Sequence, residues 1–324
     1  MNELYQGLGC QEFYRTLNIL PNQLLPCCLG AGVARRPELA PFEGGEFPLE
    51  RYLERAAAIV AANRENRGDC RGCLHLRPGT YPAGFSGFQT VVLNHFTRCN
   101  LHCCYCAYGR PGSQPAVTHN PLPLLRDLQT RGLLTPEADF NIGGGEPSIH
   151  EHLEEIVNFL SENNYNCSFC SNAVVFSQPM ADFIKRTKNH ITVALDSGTP
   201  AGFRRVKGRD HFNKVCDNII KYAEYGSIRL KYIVSHQAAD PEDIQGFLRL
   251  ADRVGALVRI SPDLLLYNNS DPNTRSGYRT LLMDFASRLY RAAGDLGLDV
   301  KPVLMNDQDA AAIVDGARNF ESRR

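Results

Sequence analysis

Cys99-Asn100-Leu101-His102-Cys103-Cys104-Tyr105-Cys106 is the stretch on which the reading of this chain turns. Cys99, Cys103 and Cys106 form a C-x3-C-x2-C spacing with an aromatic residue, Tyr105, directly before the last cysteine. Thiolates are the usual ligands of iron–sulfur clusters, which normally take four. Three thiolates on one short loop hold three irons of a 4Fe–4S cube and leave the fourth open to a substrate or cofactor. The alternative is a zinc site, but zinc motifs usually pair two C-x2-C units or add histidines at set offsets.

A second stretch, Phe140-Asn141-Ile142-Gly143-Gly144-Gly145-Glu146-Pro147, separates these readings. A glycine run after a short apolar segment lets backbone approach a ligand closely. Either stretch alone is a common pattern; the two together, each following a strand-like segment, are specific. The pair resembles the radical S-adenosylmethionine superfamily, over about residues 88–262. The resemblance implies that the open iron chelates the amino and carboxylate groups of S-adenosylmethionine. It implies that Gly144, Gly145 and Glu146 hold the methionine end and that Tyr105 packs near the adenine. One electron from the reduced cluster then cleaves the sulfonium, and the resulting 5′-deoxyadenosyl radical takes a hydrogen atom from the substrate. An electron donor such as flavodoxin or ferredoxin is implied as a partner.

Composition bounds the remaining choices. The chain has 324 residues, 43% of them apolar, with no net charge. That length suits one large or two ordinary domains. Charge balance argues against a nucleic-acid or anionic-membrane surface as the main partner, since those need clustered Lys and Arg. No apolar run approaches a membrane span, and Met1 to Gly9 lacks the pattern of a signal peptide. Twelve cysteines without a secretion signal read as metal ligands in a reducing compartment, which points to the cytoplasm.

Residues 1–87 are expected to form a small cysteine-rich α+β segment before a core spanning residues 88–324. Tyr14 to Leu20 and Leu24 to Cys28 read as a hairpin around the Pro21-Asn22 turn. Leu49 to Ala62 has the spacing of a helix. The order Cys10, Asn22, Cys27, then Cys70-x2-Cys73, resembles the SPASM pattern, with Asn22 in place of its glycine. SPASM segments hold auxiliary 4Fe–4S clusters and usually follow the radical core; here the segment precedes it and the final cysteines of the pattern are missing. The resemblance therefore implies one auxiliary cluster, on Cys10, Cys27, Cys70 and Cys73, with Cys28 as the substitute for Cys27. A zinc site or buried free thiols are the other readings of these cysteines.

In the core, strands are expected at Phe88 to His95, Ala138 to Ile142, Tyr165 to Asn172, Ile191 to Leu195, Ile228 to Val234 and Leu257 to Ile260. Helical stretches separate them, and Ser148 with Glu151 reads as a capping box. A long helix over Leu281 to Ala292, a last strand at Val300 to Leu304 and a final helix from Asp307 to Phe320 follow. Strands alternating with helices imply an α/β fold with a parallel sheet and right-handed crossovers. Six repeats are too few for a closed eight-stranded barrel, and the resemblance likewise implies a partial (β/α)6 barrel with its chemistry at the C-terminal edge of the strands. Period two places Cys170 and Asn172 on one face of their strand and Cys167 on the other. Ser171-Asn172 resembles the strand end that borders the cofactor, and Asp196 is placed to hydrogen-bond its ribose. Cys216 lies on a helical stripe and reads as packing.

The substrate is left open, a peptide being favoured over a sugar or nucleoside-linked metabolite because SPASM-type clusters often accompany peptide modification. A substrate radical can lose an electron, giving an oxidised or cross-linked product, or take a hydrogen atom from a thiol such as Cys170, giving an epimer. Oxidation is favoured, since the auxiliary-ligand pattern supplies an acceptor. A non-catalytic iron–sulfur carrier is the reading of another class, and an intact Gly-Gly-Glu-Pro argues against it.

Overall fold

The computed structural model describes residues 4–26, 40–41, 47–67, 70–71, 73, 76–82, 87–106, 108, 119–237 and 241–321. They fall into two compact units, Met1–Arg98 with Pro115–Ser168, and Cys99–Gln114 with Phe169–Arg324.

In the first unit, β1 (Leu4–Gly9) is followed by α1 (Gln11–Arg15), β2 (Thr16–Ile19), β3 (Gln23–Leu25), β4 (Ala40–Pro41), α2 (Leu49–Arg64) and β5 (Arg77–Pro82). β1 pairs antiparallel with β5, and Tyr14 stacks on Tyr81 with ring centroids 6.1 Å apart. Nothing in the alternation of either segment announces this pairing, because glycine and proline occupy several of its positions. The expected hairpin forms between β2 and β3, but its first strand starts only at Thr16, since Gln11–Arg15 closes a helical turn. The N-terminal segment joins the core through β2, which runs parallel to β6 (Phe88–Leu93). After α3 (Leu122–Thr130), β7 (Leu134–Ile142) lies parallel to β6. The strand order is β4-β3-β2-β6-β7. The unit ends with α4 (Leu153–Glu162), whose Leu153, Ile156, Val157 and Leu160 are buried, and the start of β8 (Asn166–Ser171).

The capping box expected at Ser148 and Glu151 is not formed. Pro147–Ile149 makes a single 3₁₀ turn, and the Glu146 carboxylate accepts from the Ser148 backbone N–H at 3.0 Å and its hydroxyl at 2.7 Å. The α-helix begins at Leu153, after His152. Glu146 satisfies the exposed N–H groups of the turn first, so Ser148 donates to it instead of capping a helix.

The second unit continues from β8 through α5 (Gln178–Thr187), β9 (His190–Ala194), α6 (Pro200–Lys207), α7 (Phe212–Ala223), β10 (Ser227–Val234), α8 (Pro241–Arg253) and β11 (Leu257–Pro262). Then come α9 (Leu264–Tyr267), α10 (Pro272–Gly294), β12 (Val300–Pro302) and α11 (Asp307–Glu321). The strand order is β8-β9-β10-β11-β12, and every pairing is parallel. The six expected β/α repeats are thus present as β6 to β11, with β12 a seventh strand. No described helix is long and apolar enough to cross a membrane.

Period two divides this sheet into two unlike faces. Ile191, Val193, Ile228, Leu230, Tyr232, Val258 and Ile260 are fully or nearly fully buried. They face the helices: Tyr232 packs on Phe247 of α8 at 5.1 Å and Phe285 of α10 at 4.7 Å. Phe169 meets Phe183 of α5 edge-on at 5.7 Å. The alternate residues, Cys170, Thr192, Arg229, Lys231 and Arg259, are half-buried on the opposite face.

The turn after β9 is held by a backbone crossing. A Cβ on Gly198 would lie 2.1 Å from the Asp243 carbonyl oxygen, and one on Gly246 would lie 2.0 Å from the Gly198 oxygen. Glycine within a helix is unfavourable by about 1 kcal/mol against alanine, so Gly246 marks a close approach. Gly198→Ala should destabilise the protein by about 1–3 kcal/mol, read as a lower denaturant midpoint with an unchanged m-value.

Candidate functional site

The cysteine loop belongs to the second unit. Cys99 is exposed, and Cys103, Cys104 and Cys106 are half-buried. The loop has no regular structure, so its backbone is pinned from outside: His102 N–H donates to the Lys207 carbonyl at 3.0 Å and Cys104 N–H to the Val206 carbonyl at 2.9 Å. Both acceptors end α6, where carbonyls have no partner within the helix. The Cys99 sulfur accepts from Leu101 N–H at 3.5 Å and from the Asn172 side-chain amide at 3.6 Å. Asn172 also donates to Asn100 Oδ1 at 2.7 Å. Burial raises the Cys103 thiol pKa, and the nearby Lys207 ammonium opposes that shift. Burial also raises the Cys104 thiol pKa, and the Ser235 side chain opposes that shift.

Beneath the loop lies a buried charged group. Lys207 and Asp196 pair through Nζ and Oδ2, with side chains 1% and 0% exposed. Tyr105 donates to the same oxygen, and Lys207 Nζ donates to the Tyr105 hydroxyl at 2.7 Å. The other Asp196 oxygen accepts from Ile233 N–H at 2.7 Å. Asp196 adopts a left-handed backbone, φ 57°, which aspartate tolerates better than most side chains. Burial works against the Lys207 charge, but the Asp196 carboxylate prevails, and its pKa stands above the ordinary lysine value. Burial and then Asp196 hold the Tyr105 hydroxyl well above its usual range. Asp196, expected to meet a ribose, thus has both oxygens engaged by protein donors. Lys207 escaped the sequence reading because a lysine before the glycine that ends a helix looks like an ordinary surface residue.

The Gly-Gly-Glu-Pro stretch lies in the first unit, at the end of β7. Gly144 has φ 89°, and a Cβ on Gly145 would fall 2.2 Å from the Arg98 carbonyl oxygen. Gly145 N–H donates to the Phe96 carbonyl and Glu146 N–H to that of Arg98, both at 2.9 Å. Glu146 is 1% exposed, and its carboxylate makes the turn described above. Beside Phe96, the buried His95 and His150 meet through their Nε2 atoms at 3.0 Å. His152 N–H donates to His150 Nδ1 at 3.1 Å. That nitrogen therefore carries no proton, and His150 Nε2–H donates to His95. Burial, then His152, pushes His150 down to about 4; burial, then His150, holds His95 well below its usual value. No spacing in the sequence marks this pair, which is 55 residues apart.

Ser171 is buried, its hydroxyl accepting from Ala173 N–H at 3.0 Å. Cys10 stands half-buried at the start of α1, and Cys70 and Cys73 are half-buried in one turn, with Cys73 N–H donating to the Cys70 carbonyl at 2.9 Å. Cys27 and Cys28 lie outside the described residues. Among the described residues no three His, Cys, Asp or Glu side chains converge as the ligands of a single ion would. A cube differs in binding each thiolate to its own iron.

The sequence pattern of the radical SAM superfamily matches residues 93–251; this part of the chain is a radical SAM domain. A GTP 3′,8-cyclase of Desulforamulus reducens is 26% identical over 170 residues, covering 50% of this chain and 51% of that protein. The mycofactocin maturase MftC of Mycobacterium tuberculosis is 24% identical over 166 residues, covering 50% of this chain and 41% of MftC. The match thus spans about half of each curated relative. Among solved structures, Streptococcus suis SuiB bound to S-adenosylmethionine shares the fold, with TM-score 0.51 and 13% identity over 81% of this chain and 57% of SuiB.

Removing one partner of the buried pair leaves the other charge unpaired. Lys207→Met and Asp196→Asn should each cost about 3–5 kcal/mol. The double variant should lose clearly less than their sum, because neither charge is then stranded. Denaturant unfolding of the cluster-free protein measures all three.

Proposed function

We propose that this protein is a radical SAM enzyme whose Cys99, Cys103 and Cys106 hold a 4Fe–4S cluster that binds S-adenosylmethionine. The observation that carries the reading is the donor set. Three thiols share one loop, and two N–H donors already point at the Cys99 sulfur, where they stabilise a thiolate ligand. A cluster held there would supply the single electron for reductive cleavage of S-adenosylmethionine and hence hydrogen-atom abstraction from the substrate, with a donor such as flavodoxin or ferredoxin as electron source. The chain's own residues bind and orient: α6 fixes the loop backbone, Asp196 fixes Tyr105, and the glycines of residues 143–145 keep their strand end free of side chains. Gly144, Gly145 and Glu146 are assigned to the methionine end of S-adenosylmethionine, with Ser171 and Asn172 bordering it.

The substrate we favour is a peptide and the outcome net oxidation, with a second 4Fe–4S cluster on Cys10, Cys27, Cys70 and Cys73 as electron acceptor. Two considerations support this reading: the SPASM-like spacing of those cysteines, and a maturase among the relatives. A second reading is an epimerase or dehydrogenase acting on a sugar or nucleoside-linked metabolite, and its epimerase form draws on Cys170. Its thiol is half-buried on the sheet face opposite the helices, where a hydrogen-atom donor would be needed.

Anaerobically reconstituted protein should carry on the order of eight irons, and the Cys70→Ala/Cys73→Ala variant roughly four. Cys99→Ala, Cys103→Ala and Cys106→Ala should each abolish 5′-deoxyadenosine formation. Cys104→Ala should retain most of it, because Cys104 falls on no ligand position of the C-x3-C-x2-C spacing. Equal loss in the Cys104 variant would contradict the assigned ligands. Zinc at the N-terminal cysteines, with one cluster's worth of iron, would remove the second cluster.

A further inference from the structure

The face of the second unit's sheet opposite its apolar side carries Arg229, Lys231 and Arg259, none of them in an ion pair with a carboxylate of the described residues. Cys170 pairs with Thr192, Thr192 with Arg229 and Arg229 with Leu257 in one row across four strands. Two residues further along, Ala194 pairs with Lys231 and Lys231 with Arg259. In parallel strands such partners point to the same face about 4.8 Å apart, and rows two residues apart are separated by about 7 Å. Arg229, Lys231 and Arg259 therefore stand as a triangle on one half-buried surface. Cys170, Thr192 and Ala194, the β8 and β9 members of these rows, carry no acid; on β12 the row of Arg259 continues to Lys301, whose Nζ lies 3.8 Å from Asp299, the residue in line beyond Leu257.

Nothing described neutralises them. No carboxylate of the described residues pairs with any of the three. Among the described residues Arg259 donates to the neighbouring Val258 carbonyl alone, at 3.0 Å, and the buried Arg229 Nε meets no hydrogen-bond partner. The groups also oppose one another. Burial and then Arg259 lower the Arg229 pKa, while burial and then both arginines push His190 down to about 4. Like charges gathered on a half-buried surface are unfavourable until an anion joins them, and two guanidinium forks with an ammonium suit an oxyanion of carboxylate or phosphate type.

The row has a direction. Ser171 pairs with Val193, and Asn172, the next residue, donates to the Cys99 sulfur. On the strand spacing, Lys231 lies two strands, roughly 10 Å, from the position of Asn172.

We propose that Arg229, Lys231 and Arg259 bind a multiply charged oxyanion of the substrate on this face, beside the loop that carries Cys99. The word substrate rests on the radical SAM reading above; the anion site does not. The shared chemistry is the oxyanion, whose source is either a diphosphate or adjacent carboxylates of an acidic peptide.

Isothermal titration of the reconstituted full chain, anaerobic, at fixed ionic strength and with saturating S-adenosylmethionine, tests the site. Its probes are inorganic pyrophosphate and a triglutamate peptide. At least one probe should bind. Its affinity should fall roughly tenfold or more in each of Arg229→Gln, Lys231→Gln and Arg259→Gln, the loss of one charge-assisted contact, with part recovered in Arg229→Lys. Pyrophosphate binding alone assigns a phosphate, and peptide binding alone a carboxylate. Binding of neither probe, or equal binding in variants that keep the native melting temperature and iron content, overturns the proposal. 5′-Deoxyadenosine formation by the unaltered protein is measured alongside. Its absence with anion binding intact removes the radical reading and leaves the anion site; its presence without anion binding does the reverse.

Discussion

The Asp196 carboxylate is the interaction on which the second unit's loop depends. A carboxylate with no solvent exposure is costly unless its lone pairs are filled and its charge is matched. Lys207 matches the charge, Tyr105 shares the same oxygen, and Ile233 N–H fills the other. One side chain thereby ties the end of β9 to β10, to the last residue of α6 and to the cysteine loop. The same helix end supplies the carbonyls that hold His102 and Cys104. A segment with no internal hydrogen-bond ladder takes its position from such outside partners, and Asn172 adds a further one through Cys99 and Asn100.

The two faces of the second unit's sheet express opposite physics from a single alternation. One is apolar and covered by helices, with Tyr232 between Phe247 and Phe285; burial there drives folding. The other holds Arg229, Lys231 and Arg259, half-buried and short of acceptors. Like charges gathered on a half-buried surface work against stability. The close contact of Gly198 with Gly246 brings α8 against the turn that follows Asp196, so packing of the apolar side and placement of the charged group are linked.

In the first unit, different means give a comparable rigidity. The strand end after β7 approaches the backbone of residues 94–98 so closely that Gly144 and Gly145 have no room for side chains. The neutral His95–His150 pair meets through its Nε2 atoms, and Glu146 caps the turn that follows it.

The α/β class, the six repeats and the cysteine loop were legible in the sequence because each depends on local periodicity or on spacing within a few residues. Period two correctly separated Cys167 from Cys170, and the apolar stripes located α4 and α7. What the sequence hid was the partner of each charged group. The partners of Asp196, Lys207 and Tyr105, could not be read from its position after β9, and Ser148 read as a helix cap until Glu146 took its donors. The β1–β5 pairing, the His95–His150 contact and the triangle of Arg229, Lys231 and Arg259 join residues far apart in the chain. Alternation says which face a residue occupies, but only strand register and the tertiary approach of distant segments decide which charges meet and which are left without a partner.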